Sequence, residues 1–139
     1  MDITGKAEKY LPQHHKAVLT IFRRSGMPQM SVVLAASFRG GAGVPIRETR
    51  AKYRNLKRDP HCSLLVSKDD WWGFVVLEGS AQVIDSSNST NEERLSALRE
   101  LYRLISGVEH TDWEDYDPAM LVEERAVVIV RPEGCTAPH

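Results

Sequence analysis

The sequence predicts a mainly β (α+β) domain, a barrel of about six strands with short helices at its rim. Three features predict it. Short β-branched, apolar runs recur between turns rich in Gly, Pro and Asp, and one segment carries a full amphipathic-helix signature. The composition, 139 residues with 42% apolar, 27% charged and 7% aromatic, is that of one globular unit over residues 1–139. Collagen-like, disordered and two-domain chains are excluded on the same grounds.

Residues 17–23 (AVLTIFR) and 29–38 (QMSVVLAASF) read as a strand pair, because Gly26 and Pro28 punctuate a hairpin turn between them. The glycine-dense stretch 39–43 ends the second strand. Residues 44–47 return as a short third strand, weakened by Pro45, which has no N–H for a ladder. Thr49 is placed as the N-cap of a short basic helix over 50–58, and Asp59 and Pro60 end it, since the residue before proline is pushed out of the α region. Residues 62–67, a turn at Lys68, Asp69 and Asp70, and then 71–77 and 79–84 read as long strands, with Gly79 marking a bulge or bend. Ser89 with Glu92 and Thr90 with Glu93 both fit a capping box. Leu95, Leu98, Leu101, Tyr102 and Ile105 then recur at helical spacing until Gly107. Asp117 and Pro118 open a last short helix through Glu124, with proline at its first position, and 126–131 (AVVIVR) is a closing strand.

Formal net charge is −1, with 18 Lys+Arg against 19 Asp+Glu, so nothing global attracts nucleic acid or an anionic membrane. The charge is clustered instead. Residues 47–58 hold Arg47, Arg50, Lys52, Arg54, Lys57 and Arg58 against the single acid Glu48, while residues 109–124 hold seven acids and no Lys or Arg. Two cysteines, Cys62 and Cys135, without CxxC spacing suggest neither a disulfide framework nor a zinc site. No apolar run approaches the roughly 18 residues needed to span a bilayer and no export signal is visible, so a cytoplasmic location is expected.

The basic segment is the strongest local signal. Thr49, Arg50 and Lys52 stand at a helix start, where unpaired N–H groups and the helix dipole favour an anion such as phosphate. The competing reading is a solvated basic helix that packs through Tyr53 and Leu56. No G-x-S-x-G or HExxH occurs, and the five histidines are scattered, so neither a nucleophilic hydrolase nor a metal site is expected and no catalytic residue stands out. On a strand, Trp71 and Trp72 would point to opposite faces, one packing inward and the other covering a planar ligand or a subunit, or simply packing.

The runs VLTIFRRSGMPQMS, ETRAKYRNLKRDPHCSLLV and DDWWGFVVLEGSAQV, followed by the late H-x-D-W-x-D-Y segment, stand in an order that resembles the pyridoxamine 5'-phosphate oxidase-like family. The resemblance is to its actinobacterial branch of deazaflavin (coenzyme F420)-dependent oxidoreductases, and it covers most of the chain. It implies a split β-barrel of the FMN-binding-protein kind, paired as a homodimer with cofactor sites between subunits. It also implies that Arg50, Lys52 and Asn55 hold the cofactor phosphate region, that Gln29 and Ser31 lie beside the ring system, and that Trp72 comes from the opposite subunit. Arg47, Arg54, Lys57 and Arg58 would be a basic track for the cofactor's glutamate tail. The implied activity is hydride transfer between reduced F420 and a conjugated organic small molecule. A non-catalytic F420 carrier or an FMN flavoprotein are the alternatives. The sequence departs from the family in 40–45, which is shorter and richer in glycine than the family hairpin.

Overall fold

The computed structural model describes residues 11–136, with side chains through Gly134. Among the described residues, seven strands and three helices follow one another: β1 (Lys16–Phe22), β2 (Pro28–Leu34), β3 (Ala36–Phe38), β4 (Gly41–Arg47), α1 (Ala51–Arg58), β5 (His61–Ser67), β6 (Phe74–Ile84), α2 (Asn91–Ser106), α3 (Trp113–Val122) and β7 (Arg125–Thr136). All pairings are antiparallel, in the order β2-β1-β5-β6-β7-β4-β3. The two edge strands of that order, β2 and β3, are consecutive in the chain and only Ala35 separates them. A sheet whose edges are joined by one residue must curl back on itself, which makes a mainly β, half-closed barrel and leaves little edge to aggregate.

That junction explains the seventh strand. The run 29–38 looks continuous, but its first part pairs with β1 and its last part with β4, so the chain changes partners at Ala35, whose N–H bonds His15 O at 2.7 Å. The predicted short strand at 44–47 is in fact a seven-residue strand over Gly41–Arg47, paired with β7 from Ala42 to Arg47. Pro45 is tolerated because the β3–β4 ladder ends at the Ala36–Gly43 pair, which leaves one side of β4 without a paired strand from there on. Gly43 itself is needed, since a Cβ there would lie 2.7 Å from the Phe38 side chain and 3.0 Å from that of Leu101.

Alternation sorts the apolar residues into two cores. Leu19, Ile21, Val44, Leu64, Val66, Val75, Leu77 and Val128 fill the barrel, whereas Val127 and Ile129 face outward with Phe38 to meet Leu98 and Leu101 of α2. β7 is therefore covered on both faces, which is why its sequence is apolar without alternation. The predicted bulge falls at Gly79: the register shifts between Glu78 and Gly79, and a Cβ there would overlap Arg131 O at 1.9 Å.

Of the two capping boxes, the fold uses Thr90 with Glu93, while the Ser89 hydroxyl turns to Asp85 O, and Gly107 closes α2 at φ 76°. The last helix begins earlier than proline suggested. Asp112 caps it through the Asp115 N–H, so Trp113 opens it and Pro118 lies inside. The earlier start brings Trp113 and Tyr116 against Tyr102 of α2, with ring centroids 5.7 and 5.5 Å apart, and that packing outweighs the one helical bond proline removes. Cys62 is a buried free thiol, pushed up to about 12 by burial; the Cys135 side chain is outside those described. No helix is long and apolar enough to cross a membrane among the described residues.

Candidate functional site: a cationic groove at the start of helix α1

Helix α1 begins one residue later than the sequence suggested. Arg50, at φ −87° and ψ 151°, is the N-cap in place of Thr49, and no side chain caps the first turn. The reason is a tight turn before the helix, in which Arg50 N–H bonds Arg47 O; the Thr49 carbonyl instead accepts from Arg54 Nη1 at 3.1 Å. Uncapped N–H groups at a helix start, with no acid in the first turn, leave the positive end of the dipole unanswered by the protein.

A groove of about 450 Å³ opens at this point, lined by Pro45, Ile46, Arg47, Arg50, Lys52 and Arg125. Arg47 and Arg125 face each other across the β4–β7 ladder, and both turn to Glu123: Arg47 Nη2 lies 2.8 Å from Oε1 and Arg125 Nε 3.5 Å from Oε2. Two of the groove's four cations thus share one carboxylate. Neither Arg50 nor Lys52 has a hydrogen-bonding or ion-pairing side chain among the described residues. Burial, and then the neighbouring Arg50 charge, lower the Lys52 pKa below the ordinary lysine value. A protein that holds like charges together at this expense has a site that an anion would relieve.

The C-terminal half of α1 is arranged differently. Asp85, fully buried, accepts from Tyr53 Oη and Lys57 Nζ at 2.9 Å each through Oδ2, and from the Ser87 N–H and hydroxyl through Oδ1. Burial alone would raise its pKa, but the bonds from Ser87, Lys57 and Tyr53 outweigh it and hold the carboxyl down at about 2. Asn55 Nδ2 donates to Gln29 Oε1 at 3.0 Å, and Asn55 Oδ1 accepts from Arg58, which also reaches Phe22 O. Asp85 and Asn55 therefore fasten α1 to the β6–α2 loop and to β2.

The structure unites Arg50 and Lys52 in the groove and joins Asn55 to Gln29. Asn55 is not among the groove walls. Ser31 is half-buried on the same face of β2 as Gln29. Trp72 is elsewhere: it lies at the tip of the β5–β6 hairpin, at the opposite end of seven-residue β5 from the Gln29 end of β2, about 20 Å away along the strand. The tryptophan pair is not on a strand. Trp71, at φ 66°, and Trp72 occupy the turn, with Trp72 N–H bonded to Asp70 Oδ1, so both rings are exposed, 60% and 87%, where strand alternation would bury one. The expected basic track is also reduced, because Arg47 and Lys57 are ion-paired and Arg58 is hydrogen-bonded within the protein. Sequence reasoning passed over Arg125 and Asp85. Each stands beside an element end, and nothing local distinguishes it until the register β4–β7 and the packing of α1 are known.

A curled antiparallel barrel with an uncapped, cation-lined helix start at its rim defines a split β-barrel. The chain belongs to the pyridoxamine 5'-phosphate oxidase family, whose pattern it matches over residues 3–134. That family typically binds flavin-type cofactors, FMN or F420, and includes oxidoreductases and non-catalytic members. Solved structures of the same fold include the conserved hypothetical protein Rv2991 of Mycobacterium tuberculosis (TM-score 0.77, 18% identity, covering 100% of this chain and 91% of that one). An F420 reductase gives 0.67 at 20% identity over 93% and 94%, and the heme storage protein HutZ of Vibrio cholerae 0.68 at 14% over 99% and 95%. At these identities the likeness is one of fold.

Proposed function

We propose that the protein is a deazaflavin (F420)-dependent oxidoreductase that works as a homodimer. The observation that carries this reading is the groove in which Arg50 and Lys52 stand beside an uncapped helix start with Arg47 and Arg125, which share the one carboxylate of Glu123. Charged and N–H donors converging from three elements fit a phosphodiester, and four cations exceed what one terminal phosphate needs. The R-A-K-x-R-N-L motif, and the presence of an F420 reductase among proteins of this fold, support the longer cofactor over FMN. When bound, reduced F420 supplies a hydride to a conjugated acceptor, and the product takes a proton from solvent. The chain's own part is to fix the anionic end through Arg50 and Lys52 and to set Gln29 and Ser31 beside the ring. Asn55 acts here by holding Gln29.

The outer face of β2 supports the dimer. Met30, Val32 and Leu34 are exposed, and Val32 stands in register with the half-buried Val18, Leu65 and Val76 across three more strands. A second copy covering this apolar strip would also supply its Trp72, which its own chain leaves about a strand length from Gln29. Light scattering at micromolar concentration is expected to give a dimer, and a monodisperse monomer would refute the shared site.

The cofactor is tested by titrating F420 and FMN at two ionic strengths. F420 is expected to bind more tightly and to lose more affinity with added salt, because its tail meets exposed cations. Tighter FMN binding under both conditions overturns the assignment.

A further inference from the structure

We infer that the protein has a second ligand site, for a small carboxylic acid with an apolar body, in a chamber behind the cationic groove. The chamber measures about 450 Å³, within the range of small-molecule sites, and lies between α2, α3 and the outer face of β4. Leu101, Ile105 and Met120 supply apolar walls. Tyr102 and Tyr116 add aromatic ones, held rigid in a four-ring cluster with His110 and Trp113, each ring edge-on or tilted to its neighbours at 5.0–5.7 Å. The Tyr116 hydroxyl does not ask for a ligand, since it donates to Leu98 O at 3.2 Å.

The polar end of the chamber is Arg125. Its Nε is buried without a hydrogen bond; Glu123 Oε2, at 3.5 Å, gives charge but not the direction a bond requires. That carboxylate is already the acceptor of Arg47 Nη2, so one anion serves two guanidiniums. The Nε itself is enclosed, but the Arg125 side chain keeps 27% of its surface exposed, lines the chamber and makes no hydrogen bond among the described residues; an acceptor that is charged and flat completes such a guanidinium, and a carboxylate is both. The site is separate from the cofactor groove in its walls and shares with it only Pro45 and Arg125. It therefore does not depend on which cofactor the groove takes.

Isothermal titration of the full-length protein with 4-phenylbutyrate and with its neutral amide, 4-phenylbutanamide, tests the inference. The acid is expected to bind once per chain and roughly tenfold or more tighter than the amide, the ratio that one charge-assisted bond produces. Arg125→Gln is expected to remove that ratio, and Met120→Trp, which fills the chamber, to weaken the acid by roughly tenfold while circular dichroism and oligomeric state stay unchanged. Ile105→Phe fills the same space from α2 and replaces Met120→Trp if that variant does not fold. Equal affinity for acid and amide, no binding of the acid at millimolar concentration, or full affinity in a folded filled-chamber variant each overturns it.

Discussion

At the C-terminal end of helix α1 the protein answers its own charges: Lys57 is paired with buried Asp85, and Arg58 with Asn55 Oδ1 and a backbone carbonyl. At the N-terminal end, eight residues earlier, Arg50 and Lys52 stand beside Arg47 and Arg125 with one carboxylate among them. The side chains are of the same kind and the helix is the same. One end has been finished by the fold and anchors the helix, while the other has been left electrostatically incomplete, as the proposed cofactor site requires. Charge density along a sequence does not distinguish these roles; the inventory of partners does.

The comparison is broken most severely at the anchored end. Asp85→Ala removes a carboxylate with bonds from Tyr53, Lys57 and Ser87, and is expected to cost about 2 to 4 kcal/mol, lowering the melting temperature by roughly 10 °C. At the binding end, Arg50→Ala and Lys52→Ala are each expected to weaken F420 by roughly ten- to a hundredfold, the worth of about 1.5 to 3 kcal/mol for a charge-assisted bond to phosphate. Neither should lower the melting temperature, because neither side chain has a protein partner to lose. If both bind F420 normally, the segment returns to being a solvated basic helix.

Acid sharpens the contrast. The folded pKa of Asp85 is depressed to about 2 from an ordinary carboxyl value of 3.8, so its stabilisation is complete above about pH 4 and is lost as pH falls toward 2. Over that window it is worth on the order of 2 kcal/mol. Urea melts of native protein and Asp85→Asn at pH 5 and pH 2.5 are expected to converge at the lower pH, and a constant gap between them would show that Asp85 is not the titrating anchor. The smallest effect is expected from Arg58→Ala, within about 1 kcal/mol and with unchanged F420 affinity, since its bonds are largely exposed; a tenfold loss of affinity would place it in the site.

Much of this was legible along the chain because it is local chemistry. The amphipathic period from Leu95 to Ile105, the Thr90 capping box, the Gly107 stop, the Gly79 bulge and the basic helix start at Arg50 and Lys52 each follow from neighbours within a few residues. Order of motifs likewise indicated the family. Tertiary structure alone decided the features that join distant residues. Ala35 marks a change of strand partner that a continuous apolar run conceals, and Pro45 is harmless only because the β3–β4 ladder ends at Gly43. Trp71 and Trp72 leave the strand because the Asp70 side chain binds the Trp72 N–H and closes the turn. Arg125 enters the groove through its register with Arg47, and Asp85 is a clasp because α1 packs over it. Propensity and capping act over a turn or two of chain. Strand register, the pairing of buried charge and the cavities between layers are properties of residues brought together from 20 to 76 positions apart, where only loop closure and packing can set them.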